Sequence, residues 1–469
     1  MADTDPPRVL VVGGGITGLT AAHELATGGA DVTVREADDR LGGKIRTTPF
    51  AGLDAVDEGA DAFLLRVPDA VGLARRVGLG DELTHPTDAR AAVWHDGLHP
   101  LPDGLVLGVP ASVRPLVRSR LLSLRGKARA ALEPLLPRTP VDDDAIGPFV
   151  RARFGDEVHE RLVDALVGSV YAADTDRFSL EAVPQLATLA AGHRSLLLGG
   201  RRARRALKGA TTASGPTASG PIFAAPRAGI GALVGALVDA LDRLAVTVRT
   251  GAPVERIEGD GGRWRVDDAV FDHVVLASPA RATAPLVHDV APEAAGALGA
   301  MDHAGVILVT LTVPADEWPE RLHGRSGYLV PKPDQRWVTA ASFGSQKWAH
   351  WRPDDGRQVL RVSLGRDGLD ADHLDDDRVV AAVIDEVSGH LGLDLRPDEI
   401  RISRWPGAFP QYRPHHAERV ARLERSLPEG LHVAGASHHG IGIPACVRSA
   451  TAVAREILQA SPQRADDAR

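Results

Sequence analysis

Cysteine is almost missing from this chain: Cys446 is the single one in 469 residues. That excludes an intrachain disulfide framework and a cysteine-based zinc site, and it suits a reducing compartment. No apolar run approaches the ~20 residues needed to cross a bilayer. The acidic opening MADTDPP is too poor in apolar residues for a secretory signal. Positive charge is not in excess either. Against 54 Lys and Arg stand 62 Asp and Glu, a formal net charge of −8, so nothing argues for a nucleic-acid partner. Histidines pair poorly for a metal: His95 and His99 flank a turn, the neighbours His438 and His439 diverge, and no HExxH pattern joins any of them, so no metal is expected. What remains is an ordinary globular composition, 44% hydrophobic and 25% charged, long enough for two or three domains and expected in the cytoplasm.

The informative stretch runs from Arg8 to Arg46. A β-type run, Val9 to Val12, leads into Gly13-Gly14-Gly15-Ile16-Thr17-Gly18, then a helical segment with Leu19, Ala22 and Leu25, then a strand from Val32 to Val34 ending near Glu36. Gly13 permits a tight turn, Gly15 lets a pyrophosphate approach the backbone, and Gly18 lets the helix pack on the strand. The helix N-terminus offers N–H groups to phosphate, and Glu36 is placed to accept from a ribose diol. This is a dinucleotide site. A second glycine-rich turn, Arg40-Leu41-Gly42-Gly43-Lys44, argues which dinucleotide: FAD is longer and can use the glycines for close approach and Arg40 or Lys44 for charge.

Further along, Glu58-Gly59-Ala60-Asp61-Ala62 has small residues that let backbone pass a flavin ring. Residues 1–89 read as the first part of an FAD-binding domain. Arg90 to His99 reads as a hairpin turning at Asp96-Gly97, and it opens a helical region, 90–205. That region carries a basic amphipathic helix (Arg114, Arg118, Arg120, Arg125, Lys127, Arg129) able to touch an anionic membrane, then helical periodicity from Ile146 to Val170. Residues 206–221 read as a flexible loop. A return to the FAD domain at 222–280 holds a helix at Ala228 to Leu237 and strands at Val246–Arg249, Val254–Ile257 and Phe271–Pro279. Residues 281–404 read as a substrate domain with antiparallel strands. The closing FAD part, 405–460, starts with an irregular segment, Trp405 to Tyr412, and ends in a glycine-rich turn (Gly440-Ile441-Gly442-Ile443) before a helix at Pro444 to Leu458. Residues 461–469 are expected to be a disordered tail. Cys446 reads as a small buried residue, so FAD is expected to bind without a covalent bond. No nucleophile–base pair emerges, and the chemistry is expected from the cofactor.

Together the fold class is α/β (α+β overall): a Rossmann-like FAD domain with an interleaved substrate domain and a helical, membrane-facing region. The sequence resembles the flavin-dependent porphyrinogen oxidases of haem synthesis along almost its whole length. The matching segments are GGGITGL (Gly13–Leu19), RLGGKIRT (Arg40–Thr47), EGADAF (Glu58–Phe63), GVPASVRPL (Gly108–Leu116), VYAADTDRFSLEA (Val170–Ala182), SGYLVP (Ser326–Pro331), FPQY (Phe409–Tyr412) and AGASHHGIGIPAC (Ala434–Cys446). The first two occur throughout amine-oxidase-like flavoproteins, whereas the VYA segment, FPQY and the GxGxPxC ending are specific. The resemblance implies FAD contacts at Gly13 to Gly18, Glu36, Lys44, Gly59 to Ala62, the backbone of Val254, Trp405 and Ile441 to Ile443, beside Arg40 and Gly43 from the reading of the second turn itself. It implies Arg90 facing a substrate propionate, Leu329 packing on the macrocycle, and Ser169 and Tyr171 beside it. Ser169 and Ala173 stand where the family usually has glycine.

The activity implied is oxygen-using oxidation of a porphyrinogen in three two-electron steps with peroxide released. The arginine and alanine bias looks like a high-GC bacterial protein, where the resembled pathway runs through coproporphyrin. That favours coproporphyrinogen III, whose four propionates suit cationic side chains, over protoporphyrinogen IX. Ferrochelatase and a peripheral membrane contact are the further partners implied. Two other readings of the scaffold stay open: an amine oxidase or carotenoid desaturase, and a binding protein without redox work.

Overall fold

Four of the five residues of Arg8–Val12 (β1) are buried, as a central parallel strand covered on both faces requires. The computed structural model describes residues 6–141, 144–209 and 221–460. The core of the expected loop (210–220) and the expected tail (461–469) lie outside the described residues. After β1 come α1 (Ile16–Thr27) and β2 (Asp31–Arg35). The chain then supplies β3 (Arg90–Trp94) and β4 (Leu98–Pro100), and a run of helices: α2 (Val113–Arg118), α3 (Leu124–Ala131), α4 (Ile146–Phe154) and α5 (Ala165–Tyr171). It returns as α6 (Gly231–Arg243), β5 (Thr247–Arg249) and β6 (His273–Leu276). Next are β7 (His303–Val313), β8 (Arg325–Leu329), β9 (Val338–Phe343), β10 (Gln358–Leu364), α7 (Asp376–Leu391) and β11 (Ile400–Pro410). The last elements are β12 (Leu431–Val433) and α8 (Ile443–Ala460).

Two sheets organise the molecule. The first is parallel, in the order β5-β2-β1-β6-β12, so strands from both ends of the chain lie side by side. Helix α1 has eight of its twelve residues buried because it is enclosed: it packs on α8 and α6 as well as on the sheet. The second sheet has seven strands, β11-β7-β10-β9-β8-β3-β4, antiparallel except where β8 meets β3. Its core of Ile307, Val309, Leu311, Phe343, Leu360 and Val362 packs with Val379, Val383 and Val387 of α7. The helices α2 to α5 gather around a separate core that includes Phe149, Phe154, Leu162, Val167 and Phe178. No helix among the described residues is long and apolar enough to cross a membrane.

Five local expectations differ from the structure. Trp405 to Tyr412 is not irregular, since its first six residues belong to β11. That strand is the sheet's edge, where the missing N–H groups of Pro406 and Pro410 leave no ladder partner unsatisfied. Val254 to Ile257 is not a strand, and pairing begins at Glu258–Asp260. The preceding backbone is held instead by a side chain, with Arg35 donating to Ala252 O at 3.1 Å and Pro253 O at 2.6 Å. The helical run from Ile146 breaks at Gly155 (φ +89) and passes through a π-helical turn, His159–Asp164, before α5. The basic helix is two short ones, α2 and α3, divided around Ser119, with Ser123 Oγ capping Gly126 N–H of α3 at 3.1 Å. Finally α6 starts at Gly231, after the left-handed Gly229 (φ +78).

Candidate flavin site

The first glycine turn has a geometry each glycine explains. Gly13 sits at φ +108, and a Cβ at Gly18 would collide with Gly13 O. A Cβ at Gly15 would meet no atom within 4 Å, so the space over this residue is open. Gly15 is the N-cap of α1, whose first turn has no side-chain cap and no acidic residue. The amides of Thr17 and Gly18 have no partner among the described residues and are open to an incoming anion. Glu36 braces the turn: its Oε2 accepts from Gly14 N–H at 2.6 Å and its Oε1 from Asp38 N–H at 2.9 Å. Ala252 N–H donates to Glu36 O at 2.9 Å, which brings Val254 to the same end. The backbone N–H and C=O of Val254 have no hydrogen bond among the described residues.

The second turn lies against the first. Gly42 (φ +101) donates to Gly14 O at 2.8 Å and bridges Gly15, and a Cβ at Gly43 would be 3.3 Å from Gly15 Cα. Arg40 turns its guanidinium back onto this loop, donating to Leu41 O (3.3 Å), Gly43 O (2.5 Å) and Ile45 O (3.2 Å). It is a brace. Lys44 instead reaches Ala408 O on β11. Lys44 is exposed overall, yet protein packed around its ammonium desolvates it and pushes its pKa down to about 8, with Cys446 opposing and Arg281 adding to the shift.

In the third segment a Cβ at Gly59 would be 2.6 Å from Lys44 O. Ala60 is exposed, and Ala62 is half-buried. Asp61 is engaged within the protein: its carboxylate meets Lys347 Nζ at 2.7 Å, Arg361 at 3.2 Å and Trp348 Nε1 at 3.2 Å. Burial alone would raise its pKa, but the two cations outweigh that and hold it well below the usual range. Arg361 also donates to Gly59 O at 2.7 Å, and Trp405 Nε1 to Glu58 O at 2.9 Å. The second sheet thus fixes this turn from outside. Lys347, Trp348 and Arg361 went unnoticed in the sequence, and no local signal marks them, since their partner lies almost 300 residues away.

The fourth segment comes from the C-terminal end. A Cβ at Gly435 (φ +114) would lie 3.3 Å from Thr17 Oγ1, so this turn meets the start of α1. Tyr412 holds the loop, its hydroxyl bonding to Ala436 O and accepting from Gly440 N–H at 3.0 Å. Ile441, exposed Gly442 and buried Ile443 then enter α8. Cys446 is buried, with its thiol pKa pushed up by burial. His438 is buried and stays neutral, its pKa pushed down to about 3 by burial, with His439 and His416 adding. The open space over Gly15 and the exposure of Lys44, Ala60 and Gly442 between these turns fit an extended flavin dinucleotide. Among the described residues no group of three or more His, Cys, Asp or Glu is arranged to hold a metal.

The four substrate-side residues lie on the second sheet and α5. Leu329 pairs with Val93, on a strand that α5 contacts. On α5, Tyr171 packs on Phe178 at 5.0 Å between ring centres. Ser169 donates its hydroxyl to Ala165 O at 2.7 Å, so it adds a Cβ to this surface without a free polar group. Arg90 is exposed, opens β3, and has no side-chain partner among the described residues. It lies three residues before Val93, roughly 10 Å along the strand.

A parallel sheet with a nucleotide turn, closed by a C-terminal loop and roofed by an antiparallel sheet, defines a flavoprotein oxidoreductase. The chain belongs to the flavin containing amine oxidoreductase family, which it matches over residues 16–458. Among curated relatives it is 35% identical to the coproporphyrinogen III oxidase of Mycobacterium leprae, over 97% of this chain and 98% of that one. It is 33% identical to the coproporphyrinogen III oxidase of Propionibacterium freudenreichii, over 98% and 92%. Among solved structures it is similar to one from Exiguobacterium sp. 255-15, provisionally named a protoporphyrinogen oxidase, at 29% identity and TM-score 0.84, covering 97% of this chain and 99% of that one.

Proposed function

We propose that this protein oxidises coproporphyrinogen III to coproporphyrin III, with non-covalently held FAD and with O2 as the final acceptor. The observation that carries the reading is full-length identity of 35% to a coproporphyrinogen III oxidase. Similarity to a cyclohexylamine oxidase falls to 19% and concerns the fold alone. Bound FAD supplies the two-electron acceptor that O2 returns to its oxidised state, with peroxide released. The chain's own residues bind and orient. The α1 amides take the pyrophosphate, Glu36 the ribose, and the backbone of Val254 the adenine end. Gly59 to Ala62 and Ile441 to Ile443 flank the ring, and Trp405 secures Glu58. On the substrate side Leu329 and Tyr171 offer apolar surface, and Arg90 a guanidinium for a propionate. The protonated, buried Cys446 thiol supports flavin held without a covalent bond. Aerobic incubation of the yellow protein with both porphyrinogens, followed by porphyrin fluorescence, tests this. Faster turnover of coproporphyrinogen III is expected. A higher kcat/KM on protoporphyrinogen IX overturns the substrate assignment, and inactivity on both overturns the class.

Peripheral membrane contact belongs to the same proposal. Val117, Leu124, Leu132 and Leu135 are 52%, 85%, 51% and 76% exposed, beside exposed Arg114, Arg118, Arg120 and Arg125. Apolar anchors ringed by cations suit an anionic bilayer surface. Co-sedimentation with phosphatidylglycerol vesicles, lost in high salt, is the expected result. A ferrochelatase is the proposed recipient of the porphyrin.

A further inference from the structure

The VYA segment, FPQY and the glycine-rich ending are far apart in sequence and bonded together in the structure. Gln411 and Tyr412, which follow β11 directly, make the bonds. Gln411 is buried, and its amide nitrogen donates to Tyr171 O and Ala172 O at 3.3 Å each and to Phe409 O at 3.1 Å. Carbonyls on that side fix which way the amide is turned. Its Oε1 is left buried without a partner among the described residues. The turn it grips is strained: Ala172, the C-cap of α5, is left-handed at φ +47 and ψ +40. A non-glycine residue keeps that conformation where its surroundings over-determine it. Here Ala172 O also accepts from Asp367 N–H at 2.8 Å, and Ala173 O from the Arg366 guanidinium.

Tyr412 carries the connection onward. Its carbonyl accepts from Ser179 N–H at 2.7 Å, and its ring stacks between Phe178 at 5.7 Å and His416 at 4.1 Å. Phe178 is the ring on which Tyr171 packs. The Tyr412 hydroxyl bonds Ala436 O and Gly440 N–H of the C-terminal loop, and Ile441 of that loop packs against the same helical core. Earlier along the strand, Ala408 O meets Lys44 and Trp405 meets Glu58 O, so β11 also holds the second and third glycine turns.

We propose that Gln411 and Tyr412 are positioning residues that set the distance from the substrate to the flavin ring. This rests on the flavin and porphyrinogen readings and adds to them the residues that align the two partners. The substrate surface at Ser169 and Tyr171 belongs to the helical region, whereas the C-terminal loop closes the parallel-sheet domain. Hydride transfer needs the two in register. A C–H bond of the substrate breaks, its hydrogen passes with the electron pair to the ring, and a pyrrole N–H proton leaves to solvent. Reacting atoms must approach to about 3–3.5 Å, and an error of ~1 Å costs about a hundredfold in rate. Gln411 grips one side and Tyr412 the other, and consecutive Cα atoms stay about 3.8 Å apart.

The test compares Gln411→Met and Tyr412→Phe with wild type, each full length and loaded with FAD. Methionine keeps the length and loses the donors, and it also removes the orphaned Oε1, so Gln411→Met should melt near wild type. Phenylalanine keeps the ring stack and loses the hydroxyl. Anaerobic mixing with coproporphyrinogen III, followed at the flavin absorbance, should show reduction slowed at least tenfold in both. Reoxidation by O2 after dithionite reduction, which needs no substrate, should match wild type, as should FAD affinity in titration of the apoproteins. Amide hydrogen exchange of the apoproteins should quicken around Ala172 in Gln411→Met and around Gly440 in Tyr412→Phe. Substrate reduction at the wild-type rate in one variant would remove that residue from the role, and in both would overturn the inference with the functional reading intact. A loss of FAD affinity as large as the loss of rate would also overturn it, since the residues would then act on cofactor binding. A wild-type flavin that neither porphyrinogen reduces would overturn the functional reading and the inference with it.

Discussion

Two glycines three residues apart should respond in opposite ways to the same added methyl group. Gly15 has φ −74 and ψ 177, a backbone any residue adopts, and its Cβ direction is free of protein atoms to 4 Å. Gly15→Ala should therefore leave the apoprotein intact, or stabilise it by about 0.4–1 kcal/mol through lower unfolded-state entropy. The same methyl occupies the space where a pyrophosphate must meet the α1 amides. Displacing it loses charge-assisted hydrogen bonds of about 1.5–3 kcal/mol each, so FAD affinity should fall at least tenfold. At Gly18 the methyl runs into Gly13 O, which is backbone and cannot rotate away. Overpacking of this kind costs roughly 1–3 kcal/mol or more, so Gly18→Ala should lower the melting temperature even without cofactor. Thermal melts of both apoproteins with FAD titration separate the cases. A destabilised Gly15→Ala apoprotein, or one binding FAD like wild type, would show that the open space is not cofactor space.

Other expectations follow from single side chains. Asp57 is buried, with its pKa raised to about 6 by desolvation, so its contribution is fully present below about pH 4 and is lost as pH rises through 6. Asp57→Asn should gain on wild type by about 1.4 kcal/mol per pH unit inside that window. Urea unfolding at pH 4.5 and 7.5 checks this, and parallel pH dependence would refute it. Arg366 and Asp164 form a buried pair at 2.8 Å, with side chains 4% and 0% exposed. Arg366→Ala should cost about 3–5 kcal/mol by leaving the carboxylate unpaired, read as a shift in the urea midpoint. Arg90→Ala should raise KM about tenfold with FAD affinity unchanged, and equal loss of both would reject its assignment to a propionate.

Much of the scaffold is legible from local pattern. The apolar run Val9 to Val12, the GxGxxG turn and the return at Glu36 are contiguous, and each needs only its own few residues to form. Asp96-Gly97 likewise announces its hairpin, with both residues at positive φ. Legibility fails where partners are distant. Nothing around Trp405 signals that β11 will be an edge strand, because the ladder belongs to β7, about a hundred residues earlier. The proline-rich composition then points to irregularity.

The same division holds at the site. Residue type and spacing determined that two glycine turns and an acidic residue suit a dinucleotide, since backbone approach and dipole are short-range properties. Where each charged side chain is engaged within the protein was decided by tertiary structure. Arg40 and Lys44 are equivalent on paper, yet one folds back on its own carbonyls and the other reaches across to β11. The carboxylate of Asp61 is taken up by Lys347, from the turn just after β9, and by Arg361 of β10, partners that no local pattern announces. Electrostatics acts through space rather than along the chain, so burial and partners decide what an ionisable side chain is available to do.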